Sequence, residues 1–96
     1  MTAAGPHRLL FYDYVEGILE LRGPHREAHL ARIARAIEDG GLLAAGAVGD
    51  PPTGALFLFG DVPEREIEAF AEGDPYVVAG LVTARRIVGW SVVAAR

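Results

Sequence analysis

An imidazole held by a carboxylate is a compact proton-transfer device, and His29 and Asp74 are the residues of this chain best suited to form one. The carboxylate would set the tautomer through one ring nitrogen and stabilise the protonated ring, while the other nitrogen moves a proton. Arg26 stands three residues before His29, nearly on the same side of a helix that turns about 100° per residue. Tyr76 accompanies Asp74, and Asp13 lies near the end of the first apolar segment. We therefore expect His29 as general acid or base, Asp74 as the group that orients it, and Arg26, Tyr76 and Asp13 as substrate contacts. Each residue also has an ordinary reading. A histidine at the edge of an amphipathic helix is commonly a half-buried surface residue. Asp74, standing before Pro75, can be a cap for the N–H groups that follow.

Other constellations carry less. His25 and His29 have the i, i+4 spacing of two helical metal ligands. With no cysteine and only His7 as a third histidine, a closed site would have to draw on carboxylates, so no metal is expected. Arg22 and Arg26 are able to hold an anion, but with Glu20, Glu27 and Asp74 nearby they also suit structural ion pairs. Tyr12 and Tyr14 read as pocket lining or, more simply, as core or interface packing, and Trp90 as an anchor of the sheet face. The chain shows no Ser-His-Asp order, phosphate-binding glycine loop or nucleotide fingerprint, since Gly46-Ala47-Val48-Gly49 runs into a turn and not a helix.

The elements that must position these groups can be read in order. Arg8–Val15 is rich in aromatic and branched residues and predicts a strand. Glu16–Pro24 is a connection, with some order around Ile18-Leu19. Pro24 suits the opening of a helix that runs to about Asp39, with Leu30, Ile33, Ala34 and Ile37 as its buried face and Gly40-Gly41 as its stop. Leu42–Val48 and Ala55–Phe59 predict a hairpin across the turn cluster Gly49–Gly54. Asp61 and Glu64 look like the cap and third residue of a second helix, whose buried face is Ile67, Phe70 and Ala71. After Gly73, a short turn at Asp74–Gly80 leads to a last strand from Leu81 to about Ala94, with a break at Gly89.

The order β-α-β-β-α-β predicts the ferredoxin-like arrangement, an α+β fold with an antiparallel four-stranded sheet and both helices on one face. In that topology the first helix begins where strand one ends, and strand four begins at the same end. His29 and Asp74 are thereby brought to one edge.

Such a sheet leaves one face open, and its strands should then alternate apolar and polar residues. These strands are apolar on both faces: Leu9 and Phe11 oppose Leu10 and Tyr12, Leu56-Phe57-Leu58-Phe59 is unbroken, and Val88 and Trp90 oppose Ile87. Of 96 residues 51% are hydrophobic, more than so short a chain can bury alone. A homodimer packed sheet to sheet is the simplest cover. The net charge of −4 and the lack of a basic cluster argue against nucleic acid as a partner. Without cysteine there is no thiol chemistry, and without a basic start and apolar run at Met1–Pro6 or a stretch of roughly 18 apolar residues there is no expected leader or membrane span. A single cytoplasmic domain spanning residues 1–96, partnered by itself and a small molecule, is expected.

The motifs Arg22…Arg26-x-x-His29-Leu30, Gly41-Leu42-Leu43-Ala44-Ala45-Gly46, Asp74-Pro75-Tyr76-x-x-Ala79-Gly80-Leu81 and Trp90 together resemble the YCII-related (YciI-like) family through nearly the whole chain. Asp-Pro-Tyr-x-x-Ala-Gly is the most specific part. The resemblance implies a dimeric α/β barrel of ferredoxin-like subunits, related to muconolactone isomerase-like proteins, with a His and an Asp at the active site that map onto His29 and Asp74. A characterised relative removes HCl from a chlorinated hydroxyquinol. Ala47 and Gly89 depart from the family pattern where proline is common, and Glu16–Leu21 is unusually apolar, so the pocket differs and that substrate does not carry over. The leading expectation is a lyase- or isomerase-type enzyme that needs no cofactor and performs elimination or isomerisation on a small oxygenated metabolite, cyclic ones included. The alternative is a non-catalytic ligand-binding or assembly module in which Asp74 only caps.

Overall fold

A computed structural model of the chain describes residues 5–96, so the reading of the Met1-Thr2-Ala3-Ala4 start lies outside the described residues. The elements run β1 (Gly5–Tyr14), α1 (Ile18–Leu21), α2 (Gly23–Glu38), β2 (Leu42–Val48), β3 (Gly54–Phe59), α3 (Glu64–Glu72), α4 (Pro75–Val78) and β4 (Val82–Val92). The sheet order is β2-β3-β1-β4, with every neighbouring pair antiparallel. This is the ferredoxin-like α+β fold. Among the described residues no helix is long and apolar enough to cross a membrane.

The register sorts the strand residues by face. Leu10 pairs with Phe57 and Ile87, and Tyr12 with Ala55 and Arg85. On this side Leu10, Tyr12, Leu42, Phe57 and Phe59 meet Ile67, Phe70 and Ala71 of α3 in the main core. Each large apolar side chain so buried contributes about 1.5–3 kcal/mol. A smaller cluster of Ile18, Tyr76 and Leu81 adjoins it, and Tyr14 and Val82 pack against both. On the opposite side Leu9 pairs with Leu58 and Val88, Phe11 with Leu56 and Arg86, and His7 with Trp90. Trp90 remains 46% exposed there, and the Arg86 guanidinium lies 4.3 Å over the Phe11 ring.

Four local expectations are corrected. The inward side of α2 is not Leu30, Ala34 and Ile37, which are exposed; it is His29, Ile33 and Ala36, with His29 the fully buried residue of that helix. Hydrophobic spacing reveals the helix but not the inward face of one whose innermost side chain is polar and satisfied by a partner. Asp61 does not cap α3, because that helix starts at Glu64 behind Pro63 with no side-chain cap. The order expected around Ile18-Leu19 is present as α1, whereas the turn after Asp74 is itself the short helix α4. Gly89 does not interrupt β4; it pairs with Arg8 inside the strand.

Candidate active site

Asp74 is 0% exposed, and a buried carboxylate has to be matched by donors or it costs several kcal/mol. Three donors converge on it. His29 Nδ1 lies 2.7 Å from Oδ1, the backbone N–H of Tyr76 donates to Oδ1 at 3.0 Å, and the Tyr12 hydroxyl donates to Oδ2 at 2.7 Å. The cap reading and the imidazole-partner reading of Asp74 both hold geometrically, since a carboxylate has about four acceptor positions. An ionised carboxylate can only accept, so Nδ1 carries the proton of the His29–Asp74 bond and Nε2 is the nitrogen left for a ligand.

The imidazole is fixed on its flat side as well. Tyr76 stacks on it with ring centroids 3.7 Å apart and planes 7° from parallel. Pro75 at the first turn of α4 and the Asp74 cap set the start of that helix, which delivers the Tyr76 ring to His29. All three tyrosines of the chain, Tyr12, Tyr14 and Tyr76, gather here. The sequence marks Tyr12 as pocket lining or packing and does not foresee its hydroxyl contact with Asp74. The available signal was strand parity, since Tyr12 and Tyr14 share the face turned toward His29 and the end of β1 that the topology brings to it. Burial, then the charge and hydrogen bond of Asp74, hold the Tyr12 phenol far above the ordinary tyrosine range, so it stays a donor. Tyr14 is pushed up to about 12, first by burial and then by Tyr76 and Asp74, with Arg22 and Arg26 pulling the other way.

The same strand parity removes Asp13. It lies between two residues that face the helices, so it turns to the open side of the sheet. There it is exposed and shares a separate hollow with Phe11, Arg85 and Arg86. Arg26 does reach the site. Together with Arg22, His29 and Tyr76 it lines a cavity of about 270 Å³, whose other wall includes Ala45, Ala47 and Ala55. Neither arginine is in an ion pair among the described residues, where the pairs are His29–Asp74 and Arg85–Glu68. A larger hollow of about 560 Å³ near Arg32, Asp39 and Phe70 does not include His29 or Asp74, and Arg32 is engaged with the carbonyls of Ala69 and Phe70. Among the described residues no group of three His, Cys, Asp or Glu side chains is placed to hold a metal ion.

One polar atom is unmatched. The Tyr76 hydroxyl is buried and has no hydrogen-bond partner, the one such side-chain atom among the described residues. An unpaired buried hydroxyl costs about 1–3 kcal/mol.

Because Tyr12 and Tyr14 ionise more readily unfolded, at about pH 10, than folded, the folded chain keeps protons that the unfolded chain releases. Stability from this source is complete below about pH 10 and is lost as the pH rises toward 12. In Tyr76→Phe protein, where only Tyr12 and Tyr14 remain, tyrosinate absorbance should stay flat through about pH 10 while circular dichroism is native. A full tyrosinate transition near pH 10 in folded protein would contradict the burial assigned to these phenols.

The YCII-related domain family model matches residues 8–91. None of the curated proteins matches the chain in sequence. Among solved structures, the chain is similar to 5-chloro-2-hydroxyhydroquinone dehydrochlorinase from Burkholderia phenoliruptrix AC1100, in complex with 2,5-dihydroxybenzoquinone, at 24% identity and a TM-score of 0.74, over 88% of this chain and 93% of that one. It is also similar to a dimeric ferredoxin-like protein of unknown function from Thermobifida fusca yx, at 10% identity and a TM-score of 0.52, over 96% of this chain and 95% of that one. At these identities the likenesses show the fold.

Proposed function

This chain belongs to the YCII-related family, and from that premise we propose that it is a small dimeric enzyme in which His29 and Asp74 transfer a proton on a small oxygenated compound, cyclic ones included. The observation that carries the proposal is the buried 2.7 Å His29–Asp74 contact at the wall of a cavity. His29 Nε2 takes a proton from a carbon or hydroxyl of the substrate, and the imidazolium so formed is stabilised by Asp74 on one side and by the Tyr76 ring on its face. The electron pair left behind either expels a leaving group from the adjacent atom, an elimination, or shifts and is reprotonated by His29, an isomerisation. Arg26 holds a substrate oxygen, and the Tyr76 hydroxyl donates to the enolate-like oxygen as charge builds there. The scheme requires no cofactor. That a dehydrochlorinase of similar fold was solved with a dihydroxybenzoquinone supports small oxygenated rings as the first substrates to try.

The second copy enters through the sheet. Leu9, Phe11, Leu56 and Leu58 form an apolar face flanked by exposed Val88 and Trp90, and sheet-to-sheet pairing would cover it. Light scattering at micromolar protein is expected to report twice the chain mass; a monomer mass would rule this pairing out.

For the reaction, wild-type protein and the variants His29→Asn and Asp74→Asn should be compared on a panel of small oxygenated rings, with and without a halogen leaving group. Loss of the general base is expected to lower turnover by about 10²–10⁴-fold. Asp74→Asn should follow in the same direction while the circular dichroism stays native. Equal rates for wild type and both folded variants on every compound turned over would end the assignment.

A further inference from the structure

The chain is acidic overall, with 13 Asp and Glu against 9 basic residues, yet no Asp or Glu lines the His29 cavity. Two arginines do, and neither is neutralised by an ion pair among the described residues. The one carboxylate of the site, Asp74, is enclosed behind His29 and Tyr76 with its oxygens already accepting from three donors. An acid-rich protein has thus left an uncompensated cationic rim at this one hollow.

A second feature points the same way. Tyr76 lines this cavity, and its hydroxyl is a buried donor without a partner that a bound acceptor would satisfy. Arginine forks suit planar carboxylates, which take two parallel N–H bonds. Bare inorganic anions would waste the rest of the lining. Ala45, Ala47 and Ala55 form a low wall, and Ile33 and Phe57 add apolar surface. Short side chains on that wall leave room for a flat body lying along the sheet. The volume of about 270 Å³ lies at the lower edge of ligand pockets, roughly 300–1,000 Å³, so the occupant is small.

We propose that the cavity takes a small planar organic carboxylate, its anionic group held by Arg22 and Arg26, an oxygen accepting from Tyr76, and its hydrocarbon body on the Ala45–Ala47–Ala55 wall. This rests on the reading of the cavity as the substrate site and names the substrate's charge and shape.

The test is an NMR titration of the labelled protein with benzoate, 2-furoate and crotonate, each beside its neutral amide, and with inorganic phosphate. At least one acid is expected to give saturable shifts at the Ala45, Ala47 and Tyr76 amides and to bind about tenfold or more tightly than its amide. The double variant Arg22→Gln, Arg26→Gln should erase that difference; if it does not fold, the acid–amide comparison on wild-type protein decides alone. No preference for any acid, a preference that survives in the folded double variant, or phosphate binding as tightly as the best acid would each overturn the proposal. Binding and catalysis separate through His29→Asn, which should keep the acid preference. Acid preference without His29-dependent turnover sinks only the catalytic reading, and His29-dependent turnover without acid preference sinks only this one.

Discussion

A single carboxylate taken fully out of water constrains this molecule more than any other group. Asp74 can be ionised there only because an imidazole, a phenol and a backbone amide from three elements reach it at 2.7–3.0 Å. Those elements are α2, β1 and the start of α4, so the carboxylate ties the longest helix, a central strand and the last crossover to one point. Removing it would orphan three buried donors, each worth about 1–3 kcal/mol. Stability and the candidate chemistry therefore draw on the same contacts.

The fold supports that point by parity. Tyr12 faces the helices because Leu10 does, and the β1–β3 register sets Ala55 opposite it. Close approach is built in at Gly54, where a Cβ would collide with the Tyr12 carbonyl oxygen. The central strands thus hold the phenol at a fixed depth, while α4 fixes the imidazole by stacking Tyr76 on it at 3.7 Å. An imidazole held at its edge by a carboxylate and on its face by an aromatic ring has little freedom left. Preorganisation of this kind lowers the reorganisation needed when charge moves.

The four strands, the two long helices, their order and the meeting of His29 with Asp74 were legible in the sequence, because β-α-β-β-α-β connectivity puts the start of the first long helix beside the start of the last strand. The buried face of α3 was legible too, since Ile67, Phe70 and Ala71 are apolar and inward. What escaped includes places where a polar contact outranks hydrophobic spacing. Helix α2 turns a histidine inward and leaves Leu30 and Ile37 at 45% and 46% exposure, which periodicity cannot foresee. Tyr12 suits packing or pocket lining equally in a strand pattern, because a tyrosine there reports its ring and conceals its hydroxyl. Asp13 was near the site in sequence and at the right end of β1, but one residue of strand alternation sends it to the other face.

The claim on which the rest stands is that Asp74 holds the His29 proton on Nδ1 and leaves Nε2 to the cavity. Nitrogen-15 NMR of the imidazole in folded protein, with the ring neutral, reads this directly. His29 is expected as the Nδ1–H tautomer, with loss of that preference in Asp74→Ala protein that remains folded. A neutral His29 carrying its proton on Nε2 in the wild type would contradict it.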